Sequence, residues 1–363
     1  MNSKKIINLL KKNNINFVTG VPDSVLKPLI EGIDKDKSFK HIVSNNEGSA
    51  VSLGIGYQLS SKKLPCVYMQ NSGLGNALNP LISIAHKKVY SIPLLLMIGW
   101  RGDPYNKKDE PQHQIKGQIT TKILDLLGIK HIKIKTEIDL IKLKPLIQFS
   151  KKNNIPVACL IKRNLLSNKK KNKSIIKFHR REFLKKLLLN IKKKTKIIST
   201  TGYTSRDLMD IIDDFKYKEI KPFYMVGGMG HSAMVTLGSS LKDKNQNICL
   251  DGDGAVLMHL GSLNAINYNK KVNFKHIILN NKSHESVGGQ KTYSEKNNFR
   301  LLSKSFGYKR FFQIKNNKNT TIILKNFLKS SGPSMLEVVI KSGAPKNLPR
   351  PKNLIKIKEN FIK

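Results

Sequence analysis

The chain of 363 residues is poor in cysteine, tryptophan and acidic side chains, and it has no long apolar run. Each shortage closes a class of answers. Cys66, Cys159 and Cys249 each stand inside an apolar run and share no metal-ligand spacing, which predicts buried thiols in a reducing cytoplasm. No apolar run approaches the length of a bilayer span, so no membrane partner is expected. The opening residues MNSKKIINLLKKNNINF interrupt their apolar positions with Lys and Asn, and so form no signal-peptide core. They read instead as an amphipathic helix with Ile6, Ile7, Leu9 and Leu10 inward. The acidic shortage is the largest: 24 Asp and Glu stand against 66 Lys and Arg, a formal net charge of +42. Such a charge suits nucleic acid. Yet the lysines run through the whole chain among Asn and Ile, few aromatics interleave with them, and no nucleic-acid motif occurs. Nucleic acid is therefore not the expected partner, and a solvated lysine-rich surface favours anionic ligands in general.

What is present is an alternation of short apolar runs with helical patterns. Residues 65–70, 92–98, 156–161, 196–199, 247–250, 276–279 and 335–340 predict buried strands. Helical patterns lie between them, at 76–86 and 260–268 for example. This is the α/β signature. The lysine-rich stretch SNKKKNKSIIK, residues 167–177, is the best linker and separates a first domain, 1–166, from a second, 178–363. No sequence repeat relates the two halves.

One pattern carries chemistry. Gly252-Asp253-Gly254 follows the strand NICL directly, where glycines let a backbone approach a phosphate and a carboxylate can meet a hard cation such as Mg²⁺. Alone, such a turn is ordinary. Here 25 residues, 255–279, lead to Asn280-Asn281 at the end of the next strand. One helix and one strand fill that gap, which sets Asp253 and Asn281 side by side at the carboxyl edge of a sheet, where open α/β sheets bind ligands.

This arrangement resembles the diphosphate motif of the thiamine-dependent decarboxylases. The resemblance implies that Asp253, Asn281 and the main-chain carbonyl of Ser283 bind Mg²⁺, with Gly252, Gly254 and Ala255 at the cofactor. It also implies that Glu47, in SNNEGSAVSLGIGYQL, lies against N1′ of the cofactor's aminopyrimidine; an ordinary helix-start glutamate would look the same. In GGMGHSAMVTLG the likeness makes Met229 the residue that holds the cofactor bent and Gly227 the acceptor of its 4′-amino group, although Met229 also suits plain core packing. Thr201 and Gly202, after KIIS, are expected diphosphate contacts.

The stretches TGVPDSVLKPL, YMQNSGLGNALNPL, IGWRGDPYNKKDEPQHQ, STTGYTSRDL and LNNKSHESVGGQKT together resemble the phosphonopyruvate decarboxylases, with the sulfopyruvate decarboxylases as close cousins. The loop at 102–108 is less glycine-rich than that family suggests. The resemblance implies two doubly wound parallel-sheet domains of the thiamine diphosphate-binding type: a pyrimidine-binding domain, 1–166, and a diphosphate-binding domain, 178–363. It further implies an active site shared between the subunits of a dimer, or dimer of dimers, and decarboxylation of 3-phosphonopyruvate in phosphonate biosynthesis. Sulfopyruvate is the rival substrate, and a basic nucleic-acid-binding protein is the rival from another class.

An anionic substrate needs cationic and hydrogen-bonding partners. Arg101, in GWRGD, is a clamp for an acidic group or a surface arginine. His113 is a proton donor for neutral pH or a loop histidine bonded to backbone. Asp23 and Ser24 resemble substrate-side positions, and would equally serve as a helix N-cap. His231, His259 and His284 fall near the cofactor by motif, with His259 the best suited to packing.

Overall fold

The computed structural model describes residues 1–104, 109–167, 178–243, 245–345 and 347–363, apart from 216–219. Residues 168–177 of the expected linker, and 105–108 of the glycine-poor loop, lie outside the described residues. The chain divides into two compact units, Met1–Asn172 with Val287–Gln290, and Lys173–Ser286 with Lys291–Lys363.

The first unit holds β1 (Phe17–Gly20), β2 (Lys40–Val43), β3 (Cys66–Gln70), β4 (Leu95–Trp100), β5 (Lys130–Ile134) and β6 (Val157–Lys162). The second holds β7 (Lys196–Ser199), β8 (Phe223–Tyr224), β9 (Asn247–Gly252), β10 (Phe274–Asn280), β11 (Arg310–Ile314) and β12 (Ser334–Val339). All pairings between these strands are parallel. The orders are β2-β1-β3-β4-β6-β5 and β11-β12-β10-β9-β7-β8. Renumbered from one and read from the β8 end, the second sheet repeats the first: 2-1-3-4-6-5. Both are doubly wound α/β sheets, and each has its switch point between its first and third strands.

All seven strands expected from apolar runs are present. Those runs missed β1 and the four edge strands β2, β5, β8 and β11. An edge strand has one strand neighbour and less cover, so its side chains need not be apolar. The burial of β2 accordingly alternates, and β5 and β11 are buried only at their last residue. Central strands are covered on both faces. In β4, Leu95 and Met97 enter one core while Leu96 and Ile98 enter the other; β3 and β6 alternate likewise. In the second sheet Ile248 and Leu250 of β9 face one core and Cys249 faces the other. The three cysteines are free and buried.

The first helix, Lys4–Lys12, buries Ile6, Ile7 and Leu10, with Leu9 at its rim. The helical pattern at 76–86 is an α-helix, Leu74–Pro80, that widens into a π-turn at Leu81–Ala85; the pattern at 260–268 winds as a tighter 3-10 helix. No described helix is long and apolar enough to cross a membrane. Lys275 of β10 runs against the expectation of a lysine-rich surface: it is fully buried, and its Nζ donates to the carbonyl oxygens of Ser330 (2.6 Å) and Gly332 (3.0 Å).

Candidate active site

In the second unit the polar residues gather at the carboxyl edge of the sheet. β9 and β10 pair with Gly252 opposite Leu279, so Asp253 and Asn280-Asn281 leave adjacent strand ends together. Asp253 is 2% exposed and accepts a hydrogen bond from the Thr292 hydroxyl. Burial raises its pKa, against the lowering effect of the Thr292 and Ser294 hydroxyls. A Cβ on Gly254 would lie 2.8 Å from Cε1 of His284, so only glycine lets that ring rest on the turn. Burial pushes the His284 pKa down to about 4, and its Nε2 has no partner among the described residues. This imidazole is neutral at pH 7.

The two asparagines do different work. Asn280 is buried; its amide donates to Glu337 (2.8 Å) and accepts from Ser294 Oγ (2.8 Å). That is a structural brace joining β10, β12 and the segment after the loop. Asn281 is half-buried, with Nδ2 donating to Glu285 (3.0 Å) and Oδ1 accepting from the Ser283 N–H (3.1 Å). A buried carboxylate, an amide oxygen and a nearby main-chain carbonyl form an all-oxygen donor set suited to a hard cation.

At the end of β7, Thr201 and Gly202 are half-buried, and Gly202, at φ +95°, lies beside Ser286. Gly227 and Met229 are also half-buried. His231 is exposed and stacks on His259 with ring centroids 4.4 Å apart.

In the first unit Asp23 follows β1 and is fully buried. Its Oδ2 accepts from the N–H groups of Val25 (3.0 Å) and Leu26 (3.1 Å), while Oδ1 has no partner among the described residues. Burial raises its pKa to about 6, opposed by those N–H groups and by Arg101. Ser24 is exposed. Glu47 opens the helix Glu47–Ser61, but Asn46 caps that helix, accepting from the Gly48 N–H at 2.8 Å. Glu47 itself is 6% exposed, accepts from the Asn76 amide at 2.7 Å, and lies so close to Gly73 that a Cβ there would sit 2.3 Å from its Oε1. A helix-dipole glutamate needs neither burial nor a glycine cradle.

Two family models match this chain: the thiamine pyrophosphate enzyme N-terminal TPP binding domain over residues 3–122, and the C-terminal TPP binding domain over 206–338. Phosphonopyruvate decarboxylase of Streptomyces viridochromogenes is 31% identical over 360 residues, covering 93% of this chain and 88% of that protein. The chain belongs to the phosphonopyruvate decarboxylase family of thiamine pyrophosphate enzymes. It is a carboxy-lyase. Sulfopyruvate decarboxylase subunits of Methanocaldococcus jannaschii are similar over parts of it: subunit alpha at 37% identity over 44% of this chain and 91% of that protein, subunit beta at 35% over 35% and 65%.

In this decarboxylase two of the expected site residues have close neighbours of their own. Arg101 already grips an acidic group. It is 8% exposed, and its guanidinium donates to both carboxylate oxygens of Asp109, at 2.9 and 2.5 Å. Burial works to raise the Asp109 pKa, but the hydrogen bond and charge of Arg101 prevail and hold it below the usual range. Burial and the nearby Arg101 push the His113 pKa down to about 4. A bonded pair and a neutral ring cannot be told from their free forms in a linear sequence.

Several residues at this edge escaped the sequence reading. Asn76 and Gly73 position Glu47, and Asn71 bridges β3 to the Arg101 backbone, with bonds of 2.9 and 3.1 Å. Lys116 lies near Glu47; burial lowers its pKa, opposed by that carboxylate. Arg163 reaches Asp109 at 3.4 Å and is the more open cation of that cluster. The available signal was position: NSGLGN directly follows β3, beside the switch point.

Proposed function

We propose that this protein converts 3-phosphonopyruvate to phosphonoacetaldehyde and CO₂ with thiamine diphosphate and Mg²⁺, as a cytoplasmic step of phosphonate biosynthesis. The observation that carries the substrate is the likeness to a phosphonopyruvate decarboxylase along nearly the whole of both chains. Bound thiamine diphosphate supplies the electron sink that a 2-oxo acid needs in order to lose CO₂. Asp253, Asn281 and the Ser283 carbonyl would hold Mg²⁺, and their donor chemistry fits that ion. Gly252, Gly254, Ala255, Thr201 and Gly202 would line the diphosphate, and Gly227 and Met229 the rings. Glu47 would lie against N1′ of the aminopyrimidine. Asp23, with a pKa of about 6 and one oxygen unpartnered among the described residues, is suited to proton exchange with substrate, and Ser24 lies beside it. Arg101, Arg163 and Lys116 would supply the cations for an anionic substrate. The domains divide as 1–166 and 178–363, joined by the basic linker 167–177.

Rates with phosphonopyruvate, sulfopyruvate and pyruvate at saturating cofactor test the assignment. Phosphonopyruvate is expected to give the highest kcat/KM, and a higher value for sulfopyruvate would transfer the assignment to that acid. We further propose a homodimer whose sites each draw Glu47 from one subunit and Asp253 from the other. Chains carrying Glu47→Gln and chains carrying Asp253→Ala, each inactive alone, should then recover about one quarter of wild-type activity on exchange. Activity staying at the single-mutant level after confirmed exchange would place both residues of a site in one chain.

A further inference from the structure

An asparagine can offer a cation its oxygen but not its amide nitrogen, and the two ends of the amide have nearly the same shape. Something must hold the correct end outward. We propose that Glu285 is a positioning residue that fixes Asn281 for the cation, an inference that rests on Asn281 being a cation ligand. Asn281 Nδ2 donates to Glu285 Oε2 at 3.0 Å, while the Ser283 N–H donates to Asn281 Oδ1 at 3.1 Å. An ionised carboxylate only accepts and a backbone N–H only donates, so the reversed amide would lose both bonds and set oxygen against oxygen.

Glu285 is itself held firmly. Its Oε1 accepts from the Gly343 N–H and its Oε2 from the Arg180 guanidinium. Arg180 is 3% exposed, and its other arm donates to Asp207 at 2.7 Å. Asp207 also accepts from Arg181 (3.2 Å), which reaches Asp210 at 2.5 Å. Arg180, anchored in turn by Asp207, therefore ties the helices Arg180–Asn190 and Tyr203–Phe215 to the carboxylate that faces the Asn281 amide. Outer partners of this kind typically change metal affinity by about 10–100-fold.

The test measures Mn²⁺ affinity in the presence of thiamine diphosphate, by electron paramagnetic resonance, on folded full-length variants; activity is not needed. Asn281→Ala should weaken Mn²⁺ at least as much as any other variant; unchanged affinity there refutes the ligand reading itself. Glu285→Gln should weaken Mn²⁺ about 10-fold, because the amide can now turn either way. Asn281→Asp adds a negative ligand yet should also weaken Mn²⁺, because the new carboxylate faces Glu285. The double variant Asn281→Asp/Glu285→Gln should return to within about 3-fold of wild type, since the bond re-forms with its polarity reversed. Should Glu285→Gln fail to fold, Asn281→Asp decides alone: tighter Mn²⁺ binding there overturns the proposal. So does wild-type affinity in Glu285→Gln alongside a loss in Asn281→Ala, or a double variant no better than Asn281→Asp.

Discussion

Two sheets of one strand order carry two kinds of chemistry on their carboxyl edges. On the first, Asp23 and Glu47 are buried acids held against backbone, one with an unpartnered oxygen and the other cradled by Gly73 and Asn76. On the second, Asp253 and the two asparagines sit among hydroxyls and a charge network, as an oxygen-rich donor set. The winding order supplies the crevice in both cases. It does not supply the function, which comes from the few residues that follow each strand. The first edge offers buried carboxyl groups and the second a cluster of oxygen donors.

That division can be broken experimentally. The largest effect is expected from Glu47→Gln, which should slow decarboxylation by about 10²–10⁴-fold while calorimetry finds thiamine diphosphate affinity unchanged. A parallel loss of affinity would mean that the first edge also holds the cofactor. Asp253→Ala should do the reverse, weakening cofactor binding with Mg²⁺ by about 2–4 kcal/mol in the same titration. If affinity survives and only turnover falls, the second edge is not the anchor.

Gly73→Ala sharpens the comparison, since the added methyl must displace the Glu47 carboxylate. We expect kcat to fall by about 10²-fold with KM nearly constant. A wild-type kcat would show that the cradle has slack. The smallest effect concerns Asp23. Its pKa is about 6 in the folded protein against an ordinary 3.8, so the folded state holds this proton the more tightly. Its contribution to stability is full below the unfolded value and is lost as pH rises through about 6. Asp23→Asn, which does not titrate, should therefore gain on wild type by roughly 2–3 kcal/mol between pH 4 and pH 7.5. Thermal midpoints across that range measure the gap, and a gap that stays constant would mean the carboxyl is not held protonated.

Much of this was legible in the linear chain because it is local. Continuous apolar runs mark strands covered on both faces, and all seven such strands were found from them. The turn at 252–254, the 25-residue spacing and the paired asparagines are likewise written in order along the chain, and strand-end geometry converts them into neighbours. Edge strands were not legible, since a strand with one neighbour needs no apolar run.

What the chain alone determined is therefore the fold class, the place of the diphosphate motif and the family. The tertiary structure decided which polar groups are free. Asn280 is bonded to Glu337, 57 positions away, and Asp253 to Thr292, 39 away. Arg101 lost its fork to Asp109, and Lys275, one lysine among many in a strongly basic chain, went into the core because two carbonyls of a distant turn receive it. A residue type states what a side chain can donate or accept. Whether that capacity is already used depends on partners that folding brings from far along the chain, and no local pattern records them.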